Sequence, residues 1–372
     1  MQRELAEKLL ARIMNWETDV KAAERAALEA FADYKYDEYQ QYAPGRRFLE
    51  SLALWLRQFE TIEERQIAYK FVRERLVFIS NAEINYLVSL SFPSFVRPHL
   101  IEMTARQLGI SPHRVKLITN TVNYRTNLRR TLFLGLSDGA QTDRFRRANP
   151  LDISNEQIWH AYDISTGKVG NLKKKLEIDV AKLNDSEGGT ADPTFQTIIL
   201  LDDFTASGTS YLRKAESGDW DGKIHKILDM LDNDASLGSL VAKQEVSVII
   251  VLYVAAPQAI DHILPLLEKR GFARGNIEFR IAHKLGSDTK LSLEYDADIL
   301  NLVGNDKYWD ENADDDHAKV GGKSFRNGYA DCKLPVILGH NTPNNSIFLL
   351  WAEDISNVLG LFPRVSRHRK FE

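Results

Sequence analysis

Hydrophobic and polar positions along the chain follow two different rhythms, and the change comes near residue 116. Before it, apolar residues recur every three or four positions, the period of one face of an α-helix. Leu5, Leu9, Ile13 and Trp16 form the first such stripe. Further helical patterns run through RRFLESLALWLRQF at 46–59 and EERQIAYKFVRERLVFIS at 63–80. The two prolines of FPSFVRP at 92–98 predict an interruption. HLIEMTARQLGI then forms another helix that stops at Gly109. No stretch of 1–115 reads as a strand, so this part is expected to be an all-helical domain and a candidate surface for a partner.

Beyond 116, short apolar runs alternate with amphipathic stretches. TLFLGL at 131–136, TIILL at 197–201, VSVIIVLYVA at 246–255 and IEFRIA at 277–282 read as strands. SIFLLWA at 346–352 is expected to add a late one. Between them GKIHKILDMLDN at 222–233 and PQAIDHILPLLEKRG at 257–271 read as helices. Continuous apolar strands separated by helices predict an α/β domain over 116–372, with a mostly parallel twisted sheet flanked by helices. LNDSEGGTADP at 183–193 and DENADDDHAKVGGKS at 310–324 are expected loops.

Composition adds limits. The chain has 372 residues, 44% of them hydrophobic, enough for more than one ordinary core. A formal net charge of −4 gives no global pull toward nucleic acid. The single cysteine, Cys332, excludes an intrachain disulfide and a cysteine-rich zinc site. The N-terminal MQRELAEKLLARIMNWE has no signal-peptide character, and the longest apolar runs are about half of what crosses a bilayer. A soluble, cytoplasmic protein with no membrane contact is the expectation.

One segment carries chemistry. In TIILLDDFTASGTS, 197–210, a buried strand ends in Asp202 and Asp203, and a turn of small and hydroxyl residues follows around Gly208. Ligands bind at this end of the strands in open α/β sheets. Thr205, Ala206, Ser207, Gly208, Thr209 and Ser210 are the candidate phosphate cup, in which successive backbone N–H groups converge on an anion. A helix starting near Ser210 would add its dipole. An acid pair beside an anion cup makes sense if the carboxylates accept from ribose hydroxyls or act through a divalent cation. No lysine follows the glycine, so a Walker-type triphosphate loop is not indicated.

TLFLGLSDGAQTDRFRR at 131–147 repeats the plan, with a helix expected near Gln141. Ser137, Asp138 and Gly139 make a small-residue turn that, taken alone, reads as a plain strand-to-helix connection capped by Asp138. HAYDISTGKVGNLKKKLE at 160–177, with Lys168 and Lys173, Lys174 and Lys175, reads by itself as a solvated helical charge run. The acidic run Asp314, Asp315 and Asp316 reads as an exposed loop. Asn341, Asn344 and Asn345 surround a proline turn, and their amides are candidate contacts to an acceptor or base.

IILLDDFTASGTS resembles the signature loop of type I phosphoribosyltransferases, which binds phosphoribosyl pyrophosphate (PRPP). The resemblance implies that Asp202 and Asp203 contact the ribose hydroxyls, that Thr205 to Ser210 hold the 5-phosphate, that Ser137, Asp138 and Gly139 form the pyrophosphate turn with Asp138 a candidate Mg2+ ligand, and that 160–177 with Lys168 and Lys173 to Lys175 is a candidate basic lid. With the SDG turn, HNTPNNS, Trp351 and LFPR, the chain is similar to the phosphoribosyltransferase-like (PRTase-CE) proteins of bacterial conflict and anti-phage defence systems, retron-type cassettes among them. That implies a phosphoribosyltransferase-like fold with a C-terminal hood over 286–372. It also implies PRPP or a ribose 5-phosphate nucleotide as ligand, Mg2+ as cofactor, and a defence-system protein or nucleic acid as partner. No hypoxanthine, orotate or uracil pocket signature is present. Two functions remain open, a glycosyl-transfer or glycosyl-cleavage effector and a non-catalytic sensor of PRPP or a nucleotide. A purely structural scaffold fits the acid pair and hydroxyls less well.

Overall fold

A computed structural model describes residues 3–161, 166–187, 191–234, 237–314, 316–322, 324–353 and 356–364. Two compact units emerge, Met1–Glu83 with Gly286–Glu372, and Ile84–Leu285. The helical stretch expected over 1–115 is thus shared between them, and 286–372 belongs with residues 1–83.

The first unit begins with α1 (Arg3–Ile13), α2 (Thr18–Tyr34), α3 (Phe48–Arg57) and α4 (Ile62–Glu74). Helix α4 starts at a reciprocal capping box between Thr61 and Glu64, which satisfies two orphan donors. The pattern at 63–80 predicts helix throughout, but its end, Val77–Ile79, is strand β1. Its β-branched and aromatic side chains favour extended backbone, and it pairs in parallel with Val336–Leu338 far along the chain. That long-range partner is invisible to local periodicity.

The second unit opens within α5 (Asn81–Ser91) and continues through α6 (Arg97–Leu108), α7 (Val115–Thr119) and α8 (Val122–Arg129). FPSFV at 92–96 breaks the regular α-helix as expected, though the chain stays helical there: it forms a π-turn that joins α5 to α6, with Arg97 N–H donating to Phe92 C=O. The wider turn absorbs Pro93, and Pro98 sits in the first turn of α6, where a missing N–H costs nothing. Strands β2 (Thr131–Gly135), β3 (Ile158–His160) and β4 (Thr197–Thr205) follow, with α9 (Thr142–Ala148) and α10 (Thr166–Glu187) between them. A small antiparallel hairpin comes next, β5 (Arg213–Lys214) and β6 (Trp220–Asp221). Helix α11 (Lys223–Asp232), β7 (Val246–Ala255), α12 (Pro257–Arg270) and β8 (Gly275–Lys284) complete the unit.

The main sheet is fully parallel, in the order β3-β2-β4-β7-β8. Ile198 to Leu201 and Val248 to Val254 are buried, as strands covered by helices on both faces must be. The chain runs from β2 outward to β3 and then crosses back to β4, so the direction of winding reverses between β2 and β4. In doubly wound sheets that reversal opens a crevice at the carboxyl ends of the two strands.

The first unit then resumes with α13 (Ala297–Gly304), α14 (Asp316–Gly321), β9 (Val336–Leu338) and α15 (Phe348–Trp351). The expected late strand at 346–352 is therefore wrong, because Phe348–Trp351 is a helical turn buried on all sides. An all-apolar run of this length has no period to separate strand from buried helix. Trp55 Nε1 donates to Leu349 C=O at 2.8 Å within this unit's core. No helix among the described residues is long and apolar enough to cross a membrane.

Candidate functional site

The crevice between β2 and β4 brings the two loops singled out in the sequence side by side. Gly135 at the end of β2 pairs with Leu201, so the turn 137–139 and the acids 202–203 leave adjacent strand ends. Leu136 N–H donates to Leu201 C=O at 2.9 Å and extends that register.

The two acids differ sharply. Asp202 is 0% exposed. Ser137 Oγ donates to its Oδ1. Its Oδ2 accepts from Tyr211 OH at 2.6 Å and Lys223 Nζ at 2.8 Å. Burial raises its pKa first and the Asp203 charge second, while Lys223 pulls it back. The Tyr211 phenol is likewise held well above its ordinary pKa, by burial and then by Asp202. Asp202 therefore ties together the 137–139 turn, the end of the candidate phosphate cup and the start of α11. Asp203 is only half-buried, and its carboxylate lies over Gly139. A Cβ at Gly139 would sit 2.2 Å from Asp203 Oδ2, so the glycine is what lets the two loops approach.

The cup itself has an unusual hydrogen-bond account. Gly208 turns the backbone at φ +78° against Ile263 and His262 of α12. Gly208 C=O accepts from Tyr211 N–H at 3.0 Å, and the hydroxyls of Ser207 and Thr209 lie 3.0 Å apart. Among the described residues, no hydrogen bond takes up the backbone N–H of Ala206, Ser207, Gly208 or Ser210. Residues 206–208 are buried. Buried amides are almost always paired, so a turn that leaves several open in one place is built to receive an anion or water.

The helix expected near Ser210 is absent. The chain turns at 209–212, makes the β5–β6 hairpin and enters α11 only at Lys223. The first N–H groups of α11 donate to Ser210 and Tyr211 carbonyls at 3.0 and 2.9 Å. The helix end clamps the cup from behind instead of offering its dipole to the ligand. Arg213 reinforces this clamp, donating to Thr209 C=O at 3.1 Å and pairing with Asp221.

The SDG segment forms a 3-10 turn over Asp138–Ala140, and α9 begins at Thr142 as the sequence implies. Buried Tyr253, from β7, donates to Ala140 C=O at 2.6 Å and pins the turn from below. Asp138 is exposed at its crest. Among the described residues no group of three or more His, Cys, Asp or Glu is placed to hold a metal. Magnesium used with a phosphate ligand needs only one or two carboxylates, the rest of its shell coming from substrate and water. Asp138 and Asp203 are the two that fit that requirement.

Other candidates lie elsewhere. Lys173, Lys174 and Lys175 are on the exposed face of α10, opposite buried Leu172, Leu176 and Val180, and Lys175 pairs with Glu156 at 3.1 Å. Residues 162–165 and the Lys168 side chain lie outside the described residues, as do residue 315 and the Asp316 side chain. Asp314 Oδ1 accepts from Phe325 N–H at 2.7 Å. Asn341, Asn344 and Asn345 belong to the other unit. There Asn341 Oδ1 accepts from Gln41, Asn344 C=O from Tyr329 N–H, and Asn345 Nδ2 donates to Tyr329 C=O. Tyr211, Lys223 and Tyr253 are site residues that sequence reasoning missed. Only Tyr211, next to the loop, offered a positional hint.

A parallel sheet with reversed winding at β2/β4, an acid pair there and an open amide cup is the arrangement of a phosphoribosyltransferase-like domain. The family model PRTase-CE matches residues 52–364. The chain belongs to that family. No curated protein and no solved structure matches it. For a PRTase-CE protein, the match spans parts of both compact units, so the helical segments from 52 onward and the segment after 286 are family features and not appendages.

Proposed function

We propose that the β2/β4 crevice binds PRPP or a ribose 5-phosphate nucleotide, and that the protein acts on the glycosyl bond as an effector of a bacterial defence system. The observation that carries this reading is the set of open amides at Ala206, Ser207, Gly208 and Ser210 beside a half-exposed Asp203. The amides and the Ser207 and Thr209 hydroxyls take the 5-phosphate. Asp203 accepts from the ribose hydroxyls. Asp202 touches no ligand in this scheme. It keeps Ser137, Tyr211 and Lys223 in place, and its negative field favours positive charge at the anomeric carbon.

In glycosyl transfer the bond from the anomeric carbon to the pyrophosphate oxygen breaks, and the acceptor nucleophile bonds to that carbon. The 137–139 turn faces the departing pyrophosphate. Mg2+ carried in with the ligand and held by Asp138 would neutralise its charge. A defence-system protein or a nucleic acid is the proposed partner.

A second reading has its own support. Because Asp202 is saturated by protein donors, a single acid is left facing the ligand, which suits a sensor that binds without turnover. Labelled PRPP and nucleotides incubated with the protein separate the two. Turnover lost in Asp203→Asn supports the enzyme, and ligand-dependent thermal stabilisation with no product supports the sensor. Absence of any PRPP or nucleotide binding in calorimetry refutes both.

A further inference from the structure

The main sheet has two edges of very different character. On one side β3 is three residues long. On the other, β8 runs for ten residues, Gly275–Lys284, without a proline, and among the described residues no strand lies beyond it. Its pairing with β7 is continuous from Val246↔Gly275 to Leu252↔Ile281. Long, regular, accessible edges are normally shortened, bulged or covered, because their open N–H and C=O groups recruit another strand.

The hydrogen-bond phase says which groups face outward. Val246 N–H donates to Arg274 C=O, so the even-numbered residues of this stretch turn toward β7. By the two-residue alternation of the ladder, the N–H and C=O of Ile277, Phe279 and Ile281 point out of the sheet. Side chains alternate by face as well. Ile277, Phe279 and Ile281 pack against the unit's apolar core. Glu278 and Arg280 share the other face, are 27% and 48% exposed, and bond each other at 2.6 Å. His99 Nδ1 lies 3.9 Å from Glu278 on that face.

We propose that β8 is a homodimer interface, in which two copies pair their β8 strands antiparallel about a two-fold axis through Phe279 and join their sheets into one. The sequence of the strand is self-complementary in that register. Phe279 meets its counterpart, and Ile277 meets Ile281 of the second copy, in outward-facing, hydrogen-bonding positions. Glu278 meets Arg280 of the second copy, twice by symmetry, at the closer non-hydrogen-bonded positions where side-chain pairs interact most. Moving the axis to Glu278 would oppose two carboxylates, and moving it to Arg280 would oppose two guanidiniums. An axis at Ile281 pairs Glu278 with Lys284 but overlaps only residues 278–284. The Phe279 axis is the one that uses nearly the whole strand with opposite charges facing.

Sedimentation velocity of the full chain across the micromolar range tests this, with circular dichroism as the fold control. Wild-type protein is expected to be a dimer. Glu278→Arg and Arg280→Glu should each weaken it about tenfold or more, because two symmetry-related pairs turn from attraction to repulsion. Mixing the two single variants should restore a heterodimer, and the double exchange should restore the homodimer. If a reversal fails to fold, Arg280→Gln replaces it and should shift the equilibrium toward monomer. A monomeric wild type overturns the proposal. So does a dimer that Arg280→Glu or Arg280→Gln leaves intact, since in the Ile281 register Arg280 faces only Ala282.

Discussion

Gly139→Ala probes the approach of the two loops more directly than removing either acid. Gly139 does not have a positive φ, so alanine suits its backbone. The whole effect comes from one contact. The new Cβ would lie 2.2 Å from Asp203 Oδ2, 2.4 Å from its Cγ and 2.8 Å from its Oδ1, where ordinary contact begins near 3.4 Å. The carboxylate must therefore move by roughly an ångström, a displacement of the order that costs about 100-fold when it affects a reacting or binding group. Asp203 is a half-buried side chain whose Oδ1 accepts from Phe204 N–H at 2.8 Å, so the fold should lose about 1–2 kcal/mol, the lower part of the overpacking range. The two readouts are a melting curve and a calorimetric titration with PRPP and Mg2+. The expected result is a small drop in Tm with affinity reduced about 10–100-fold, the loss of a hydrogen bond to a charged group. Wild-type affinity in Gly139→Ala would refute the assignment of Asp203 to the ribose.

Other outcomes follow from the same geometry. Gly208→Ala combines a left-handed φ of +78° with a Cβ 2.8 Å from Ile263 Cγ1 and 3.1 Å from Ala259 C=O. It should cost about 2–4 kcal/mol in urea unfolding. Lys223→Met removes the cation on buried Asp202 and should destabilise by about 1–3 kcal/mol, less than a fully buried pair because Lys223 is 37% exposed. The native pKa of Asp202 is raised, so the folded chain holds a proton that the unfolded chain releases, and this site loses stability as pH rises above the ordinary carboxylate range. Without Lys223 that window reaches higher, and the Tm deficit of Lys223→Met should grow from acidic to neutral pH. Cys332 is buried, with its pKa pushed up to about 11 by burial, so a thiol reagent at neutral pH should label it only on unfolding.

The chain's own pattern determined the sheet and the position of the acid pair and the turn that follows it. Runs such as Ile198–Leu201 and Val248–Val254 are too uniformly apolar to be anything but strands buried on both faces, and the acid pair followed by small hydroxyl residues marks the strand end proposed to bind. These are local properties, set by side-chain polarity and by which residues tolerate a tight turn. Pairings and contacts between distant segments were decided only in three dimensions. Strand β1 exists because Val336–Leu338 lies beside it. The run at 346–352 is helical because its surroundings are apolar on every side, which leaves no period to read. The division of labour between Asp202 and Asp203 depends on Ser137, Tyr211 and Lys223 arriving from three separate segments. Two adjacent identical letters carry no record of which carboxylate will be fully buried among donors and which half-exposed at the crevice.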